Sequence, residues 1–286
     1  MSFAETALLG ALAGFTIYLG LPVGRLELVS SRTRVALAMF SVGILVFLLV
    51  DVLGHGFEIA EDAVTDFEAG DASFGHAAGL ALLLIGGFGL GSAGLGILER
   101  RLRTVAPSPP PIAGGSTEVL TAADHEVLDA GVEAARARAL QTGLIIAIAI
   151  GVHNLAEGLA IGVSAQAGEI GLATVLVIGF ALHNATEGFG IVGPLGDVKP
   201  SWGWLGLVGL IGGGPTFVGA MIGYHVTSDP LELCFYALAG GAILYVIGEI
   251  WHGMRRYGHR ELGLLMLAAG FAAGILTDLV VAYGGG

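Results

Sequence analysis

The sequence contains little charge and almost no cysteine. Only 13% of its 286 residues are charged, and the one cysteine is Cys234. A single cysteine excludes an intrachain disulfide and a cluster of thiolate ligands. The low charge, combined with 55% hydrophobic residues, excludes an ordinary soluble domain and is typical of a polytopic membrane protein that lies in a lipid bilayer.

Basic residues are also scarce, since 12 Lys and Arg stand against 24 Asp and Glu. The resulting net charge of −12 argues against nucleic acid as a partner.

Long apolar runs predict an all-α membrane protein with eight transmembrane helices. The predicted spans are 4–24, 35–57, 74–98, 140–164, 170–193, 202–225, 231–253 and 261–283. Each is long enough to cross a hydrocarbon core of about 30 Å. An acidic loop is predicted after the second span, and a long connection follows the third. The chain then divides into 1–98, 99–139 and 140–286, within one integral membrane domain.

The positions of the basic residues predict the orientation. All 12 lie in the connections between spans 1 and 2, 3 and 4, 5 and 6, and 7 and 8. Loops rich in Lys and Arg remain on the cytoplasmic side of a membrane. We therefore expect a multi-pass protein of the cytoplasmic (inner) cell membrane, with both termini extracytoplasmic and the 99–139 connection in the cytoplasm.

One sequence motif occurs twice in the middle of the chain. GVHNLAEG and ALHNATEG both contain His-Asn-x-x-Glu-Gly, the first on predicted helix 4 and the second on predicted helix 5. Side chains at i and i+4 share one face of a helix, so each copy presents its polar groups together. A short connection makes the two helices antiparallel neighbours. The predicted ligands of one midplane cation are His153, Asn154, Glu157, His183, Asn184 and Glu187.

Imidazole nitrogens combined with carboxylate and amide oxygens suit a borderline divalent cation such as Zn²⁺. The alternative is that these side chains are hydrogen-bonded core residues without a ligand. A charged side chain at the centre of a bilayer costs about 2.5 kcal/mol or more. Two matched copies without a function would therefore be expensive, which favours the metal site.

Further polar residues near the ends of predicted spans are candidates for a metal pathway. Asp51 and His55 lie at the outer end of helix 2, and Asp278 lies in the outer half of helix 8. Glu249 and His252 share a face near the cytoplasmic end of helix 7. The alternative for all five is solvation or pairing at helix ends.

Eight spans, external termini, a long 3–4 connection and HNxxEG on helix 4 with a related word on helix 5 resemble the ZIP (Zrt/Irt-like) metal transporters, in their prokaryotic form. The resemblance implies a 3+2+3 arrangement, in which helices 1–3 and 6–8 are inverted repeats. It also implies that helices 1, 4, 5 and 6 move against 2, 3, 7 and 8. The metal would bind midway across the membrane, and the resemblance makes a homodimer plausible.

This sequence departs from the usual pattern of the family at several positions. The proline that commonly precedes each motif glutamate is replaced by Ala156 and Thr186. Asn184 and Gly214 occupy positions where many members have a carboxylate, so we expect one bound metal ion. His125 is the one histidine of the 99–139 connection, so the usual histidine-rich loop is missing.

The predicted function is transport of a divalent cation towards the cytoplasm by alternating access. Zn²⁺ is the expected substrate, and the sequence does not rank it against Fe²⁺, Mn²⁺, Cd²⁺ or Co²⁺. An enzyme is not expected, because an HExxH motif is absent. Two alternatives remain, an ion-coupled carrier of an organic solute and an intramembrane zinc-dependent hydrolase.

Overall fold

The computed structural model describes residues 1–26, 30–102, 122–168, 170–225 and 228–283, and within these ranges the fold is all-helical. Eight of the described helices are long and apolar enough to cross a membrane, which confirms the predicted fold class. We number them α1 (Phe3–Arg25), α2 (Ser31–Ala69), α3 (Phe74–Arg101), α4 (Ala122–Gln166), α5 (Ile170–Val192), α6 (Trp202–Gly223), α7 (Asp229–Met254) and α8 (Arg260–Tyr283).

Serine residues define where several of these helices begin. The side chains of Ser2, Ser30, Ser73 and Ser201 each accept a hydrogen bond from a backbone N–H in the first turn of α1, α2, α3 and α6. Such a cap satisfies a donor that the helix leaves unpaired and stabilises it by about 1 kcal/mol.

The predicted end of the second span was wrong. The helix does not stop near residue 57 but continues as α2 to Ala69, where Gly70 ends it in a left-handed conformation with φ of 85°. The acidic segment is therefore helical. Its apolar residues recur at helical spacing, and Ala63 and Ile59 pack in a cluster with Leu80 of α3 and Leu233 of α7. This packing stabilises the extension although the opposite face is strongly acidic.

The fourth span is also longer than predicted, because α4 is continuous from Ala122 to Gln166. Residues 122–139, which were assigned to the connection between spans 3 and 4, form its first part, and Arg136 and Arg138 there are exposed. The remainder of the predicted connection, 103–121, lies outside the described residues. In α6, Pro215 is accommodated inside a continuous helix.

Side-chain contacts bring the ends of the helices together at two faces of the bundle. At one face, Arg34 and Arg256 donate to the carbonyl oxygens of Gly196 and Pro194, so three of the basic connections meet. We call this face the basic side. At the other face, Tyr224 donates to the carbonyl oxygen of the N-terminal residue, Met1, over 2.9 Å. We call this face the terminal side.

The helices can be divided into two groups, called body A and body B, whose members pack against one another. Body A consists of α1, α4, α5 and α6. In it, α6 packs against α4 and α1, and α5 also packs against α4 and α1. Body B consists of α2, α3, α7 and α8, in which α2 packs against α8 and α7, and α3 packs against α7. The bodies meet where α4 contacts α7 and where α2 contacts α5.

Within each body, glycines lie directly against carbonyl oxygens of a neighbouring helix, and these contacts occur in matched pairs. In body A the pairs are Gly158–Thr216 with Gly188–Ile17, and Gly219–Leu155 with Gly20–Ala185. In body B they are Gly43–Leu267 with Gly241–Phe88, and Gly270–Phe40 with Gly91–Leu238. For each helix, one constant offset in residue number converts the residue of the first contact in a pair into the equivalent residue of the second contact. We call this offset the register shift of that helix. These shifts relate α1 to α6, α4 to α5, α2 to α7 and α3 to α8.

Candidate metal centre

The two copies of the motif face each other inside body A. His153 and Glu157 of α4 and His183 of α5 are all buried, and each offers one ligand atom within 4.8 Å of the others. Glu157 Oε1 lies 2.8 Å from His153 Nε2 and 2.5 Å from His183 Nε2. One carboxylate oxygen therefore lies between two imidazoles, one from each helix.

Glu187 completes the arrangement on the α5 side. It is 1% exposed, and its Oε1 lies 4.0 Å from His153 Nε2. Asn154 donates to the other carboxylate oxygen, Oε2, over 3.2 Å. Because α4 and α5 run in opposite directions, the histidine of each copy meets the glutamate of the other.

The two asparagines also hold the motif helices to their neighbours. Asn154 donates to the carbonyl oxygen of Gly212 in α6 over 2.9 Å, and Asn184 donates to that of Ala13 in α1 over 3.1 Å. These two bonds are related by the same register shifts as the glycine contacts. The asparagines were predicted as oxygen ligands, and that assignment stays a prediction.

The unpaired atoms of the site fit a divalent cation. Among the described residues, Glu157 Oε2, Glu187 Oε1, Asn154 Oδ1 and Asn184 Oδ1 are buried without a hydrogen-bond partner. Buried oxygen atoms without partners are costly, and a cation bound between the imidazoles would satisfy those of the two glutamates. Ligand atoms of a tetrahedral zinc ion lie about 3.3 Å apart, given metal–ligand distances of about 2.0–2.1 Å. The imidazole–carboxylate separations would need to widen by less than about 1 Å.

Replacing Asn184 by alanine should affect stability more than metal binding. The change removes a buried hydrogen bond to α1, so we expect the free energy of unfolding to fall by about 1–2 kcal/mol. Zinc affinity should fall by less than about tenfold if the amide mainly anchors α5. Thermal unfolding and zinc titration in detergent measure the two effects. A hundredfold loss of affinity would instead identify Asn184 as a ligand.

A cavity of about 680 Å³ leads to the cluster from one side. His153, Glu157 and His183 line it, and so do Ser164, Glu232 and Ala282, which lie near the terminal-side ends of α4, α7 and α8. The cavity therefore extends from the cluster towards the terminal side.

The cavity brings three of the five predicted pathway residues together. Asp51, His55 and Asp278 all line it. Glu249 and His252 are absent from its lining and lie towards the basic side on α7, where His252 is exposed.

Glu232 and Tyr236 are among the polar residues of the cavity that sequence reasoning missed. The ring of Tyr236 stacks on that of His55, with centroids 5.6 Å apart. Glu232 lies in the first turn of α7, where an acidic residue is explained by the helix dipole alone. The spacing of four residues between them places both on one face of α7, and this was the available signal.

On the basic side of the cluster the bundle is closed by apolar packing. The residues Val42, Ile150, Ile191, Val246 and Ile250 come from four helices, belong to one hydrophobic cluster and are each no more than 1% exposed. Among the described residues, this side of the cluster is therefore filled by buried apolar side chains, whereas the cavity extends towards the terminal side.

An eight-span helical membrane protein with a buried His–Glu cluster that lines a large cavity has the architecture of a cation transporter. The family model described as ZIP zinc transporter matches residues 115–273, which is more than half of the chain. The chain therefore belongs to the ZIP zinc transporter family.

Two curated relatives are both described as zinc transporter ZupT. The protein of Corynebacterium glutamicum is 28% identical over 278 residues, which cover 93% of this chain and 97% of that relative. The protein of Clostridium perfringens is 29% identical over 140 residues, which cover 46% of this chain and 47% of that relative.

Proposed function

We propose that this chain transports Zn²⁺ across the membrane from the terminal side to the basic side. By the positive-inside rule the basic side is cytoplasmic, so transport is uptake. The observation that carries the proposal is the buried cluster of His153, Glu157 and His183, which lines a cavity that extends towards the terminal side. Membership of the ZIP family and the two zinc-transporting relatives favour zinc among divalent cations.

In this proposal His153, Glu157 and His183 bind the ion directly, and Glu187 supplies a further oxygen. Two carboxylates give the site a charge that balances the cation, and neutral imidazoles add nitrogen ligands that zinc prefers over Mg²⁺ or Ca²⁺. Asn154 orients Glu187 and holds α4 against α6. Acidification would protonate the ligands and release the metal.

The division into two bodies supports alternating access. Backbone-to-backbone contacts at glycines are found within body A and within body B, where they prevent neighbouring helices from sliding. Between the bodies, by contrast, Gly190 of α5 faces the side chains of Ile250 and Ser41. Body A, which holds the cluster, is therefore proposed to move as a unit against body B.

The matched contact pairs support inverted repeats formed by α1–α3 and α6–α8, with α4 and α5 exchanged by the same symmetry. Applied to the cavity, the register shifts relate Asp51 of α2 to Glu249 of α7. They also relate Asp278 of α8 to Glu99 of α3. Both Glu249 and Glu99 lie on the basic side, so we propose them as the cytoplasmic counterparts of two residues that line the present cavity.

Comparing zinc uptake by proteoliposomes with zinc binding in detergent tests the function. A transporter binds zinc and accumulates it inside vesicles in a time-dependent manner. An intramembrane hydrolase would bind zinc without accumulating it. A carrier of an organic solute would do neither in the absence of that solute, and either of these results would contradict the proposal.

The sidedness of the cavity can be tested with a cysteine at Ala160, which lines it. In a Cys234→Ala background, Ala160→Cys should react with a membrane-impermeant thiol reagent from the terminal side, and zinc should slow the reaction. Val246→Cys, among the buried apolar residues on the basic side of the cluster, is the matched control and should react much more slowly from the terminal side. Equal labelling of both cysteines from the terminal side would contradict the one-sided cavity.

A further inference from the structure

Ser41 of α2 is a buried hydroxyl that lacks a partner. Its side chain is fully buried, and among the described residues no hydrogen bond to Ser41 Oγ is formed. It faces α5 across the boundary between the bodies, because a Cβ atom built on Gly190 would lie 3.3 Å from Ser41 Oγ. A buried hydroxyl without a partner destabilises the conformation that contains it.

A second unpartnered hydroxyl, Thr216, provides a comparison. It is also fully buried, but it lies within body A, where it packs against Gly14 of α1. Movement of body A against body B leaves the surroundings of Thr216 unchanged. The same movement gives Ser41 new neighbours, because Ser41 belongs to body B and faces body A.

Glu187 is the group that such a movement would bring to Ser41. It precedes Gly190 by three residues on α5, and its Oε1 atom, which lies 4.0 Å from His153 Nε2, accepts no hydrogen bond among the described residues. The helix α5 runs from the terminal side to the basic side. A displacement of body A towards the basic side by about 4.5 Å would place Glu187 where Gly190 now lies.

We propose that Ser41 is a positioning residue that donates a hydrogen bond to Glu187 when the site faces the cytoplasm. It has no partner in the outward-facing arrangement and gains one in the inward-facing arrangement, so it shifts the equilibrium towards the latter. The register shift from α2 to α7 makes Ala239 the equivalent of Ser41. Alanine has no hydroxyl, so no equivalent hydrogen bond stabilises the outward-facing state. This role rests on the proposed transport function.

The test measures how often the cytoplasmic half opens in the full-length protein in membrane vesicles. The reporter is Val246→Cys in the Cys234→Ala background, labelled with an impermeant thiol reagent from the basic side. Ser41→Ala should lower the labelling rate about tenfold, because the hydroxyl would satisfy its hydrogen-bonding capacity only in the inward-facing state. Thr216→Val, the matched control, should leave the labelling rate unchanged.

An unchanged or faster labelling rate in Ser41→Ala would overturn this role, and so would an equal effect of Thr216→Val. Zinc uptake by the unsubstituted chain, measured in the same preparation, separates this failure from failure of the transport proposal. If the unsubstituted chain takes up zinc while Ser41→Ala behaves like its parent, transport stands and only the role of Ser41 is wrong. If the unsubstituted chain takes up no zinc, both proposals are wrong.

Discussion

Replacing Glu157 by glutamine is expected to lower the initial rate of zinc uptake at least about a hundredfold at low zinc concentration. One oxygen of this carboxylate contacts both imidazoles, and the substitution removes its charge while preserving its shape. Removing one partner of a buried charged pair costs about 3–5 kcal/mol, which corresponds to a factor of about 10²–10⁴. Uptake by proteoliposomes, normalised to the amount of folded protein, measures the effect.

The matched control is Glu61→Gln, which removes a carboxylate from the exposed face of the α2 extension. Zinc uptake by this variant should stay within about twofold of the unsubstituted rate, because an exposed charge contributes little. The double variant His153→Ala/Glu157→Ala removes two of the three clustered ligands. Undiminished transport by the double variant would refute the assignment of the site.

Replacing Gly158 by valine is expected to prevent body A from assembling. A Cβ atom at this position would collide with the carbonyl oxygen of Thr216, and a backbone atom inside a helix cannot move aside as a side chain can. Overpacking of this kind typically costs about 1–3 kcal/mol, and more where backbones touch. We expect most of the protein to be lost as aggregate, measured by size-exclusion chromatography in detergent.

The internal symmetry provides a second variant and a control. Gly188→Val should be equally damaging, because its counterpart contact is with the carbonyl oxygen of Ile17. Gly79→Val is the control, since no atom lies within 4 Å of a Cβ built there. If Gly158→Val yielded as much monodisperse protein as Gly79→Val, the packing described for body A would be wrong.

Much of the fold could be predicted from the sequence because a bilayer imposes a simple pattern. Apolar length and the placement of basic residues were enough to predict eight spans. The repeated word was enough to predict that α4 and α5 carry the polar cluster, because its i, i+4 spacing fixes the shared face of each helix. The extension of α2 to Ala69 was missed, because an acidic segment outside the membrane gives a weak signal and packing on α3 and α7 decides its structure.

Details that depend on tertiary contact could not be predicted. The sequence marks Asn154 and Asn184 as polar members of the motif, but only the packing of α6 and α1 shows the carbonyl groups to which they donate. Likewise, Gly20 and Gly219 are two of 49 glycines in the sequence, and their equivalence becomes visible only through the contacts they make.

Anomalous scattering from a zinc-soaked crystal tests the proposed metal centre most directly. The arrangement described here predicts one strong peak between α4 and α5, about 2.0–2.2 Å from His153 Nε2, His183 Nε2 and a carboxylate oxygen of Glu157. A zinc peak elsewhere, with the polar faces of α4 and α5 directed towards lipid, would contradict it.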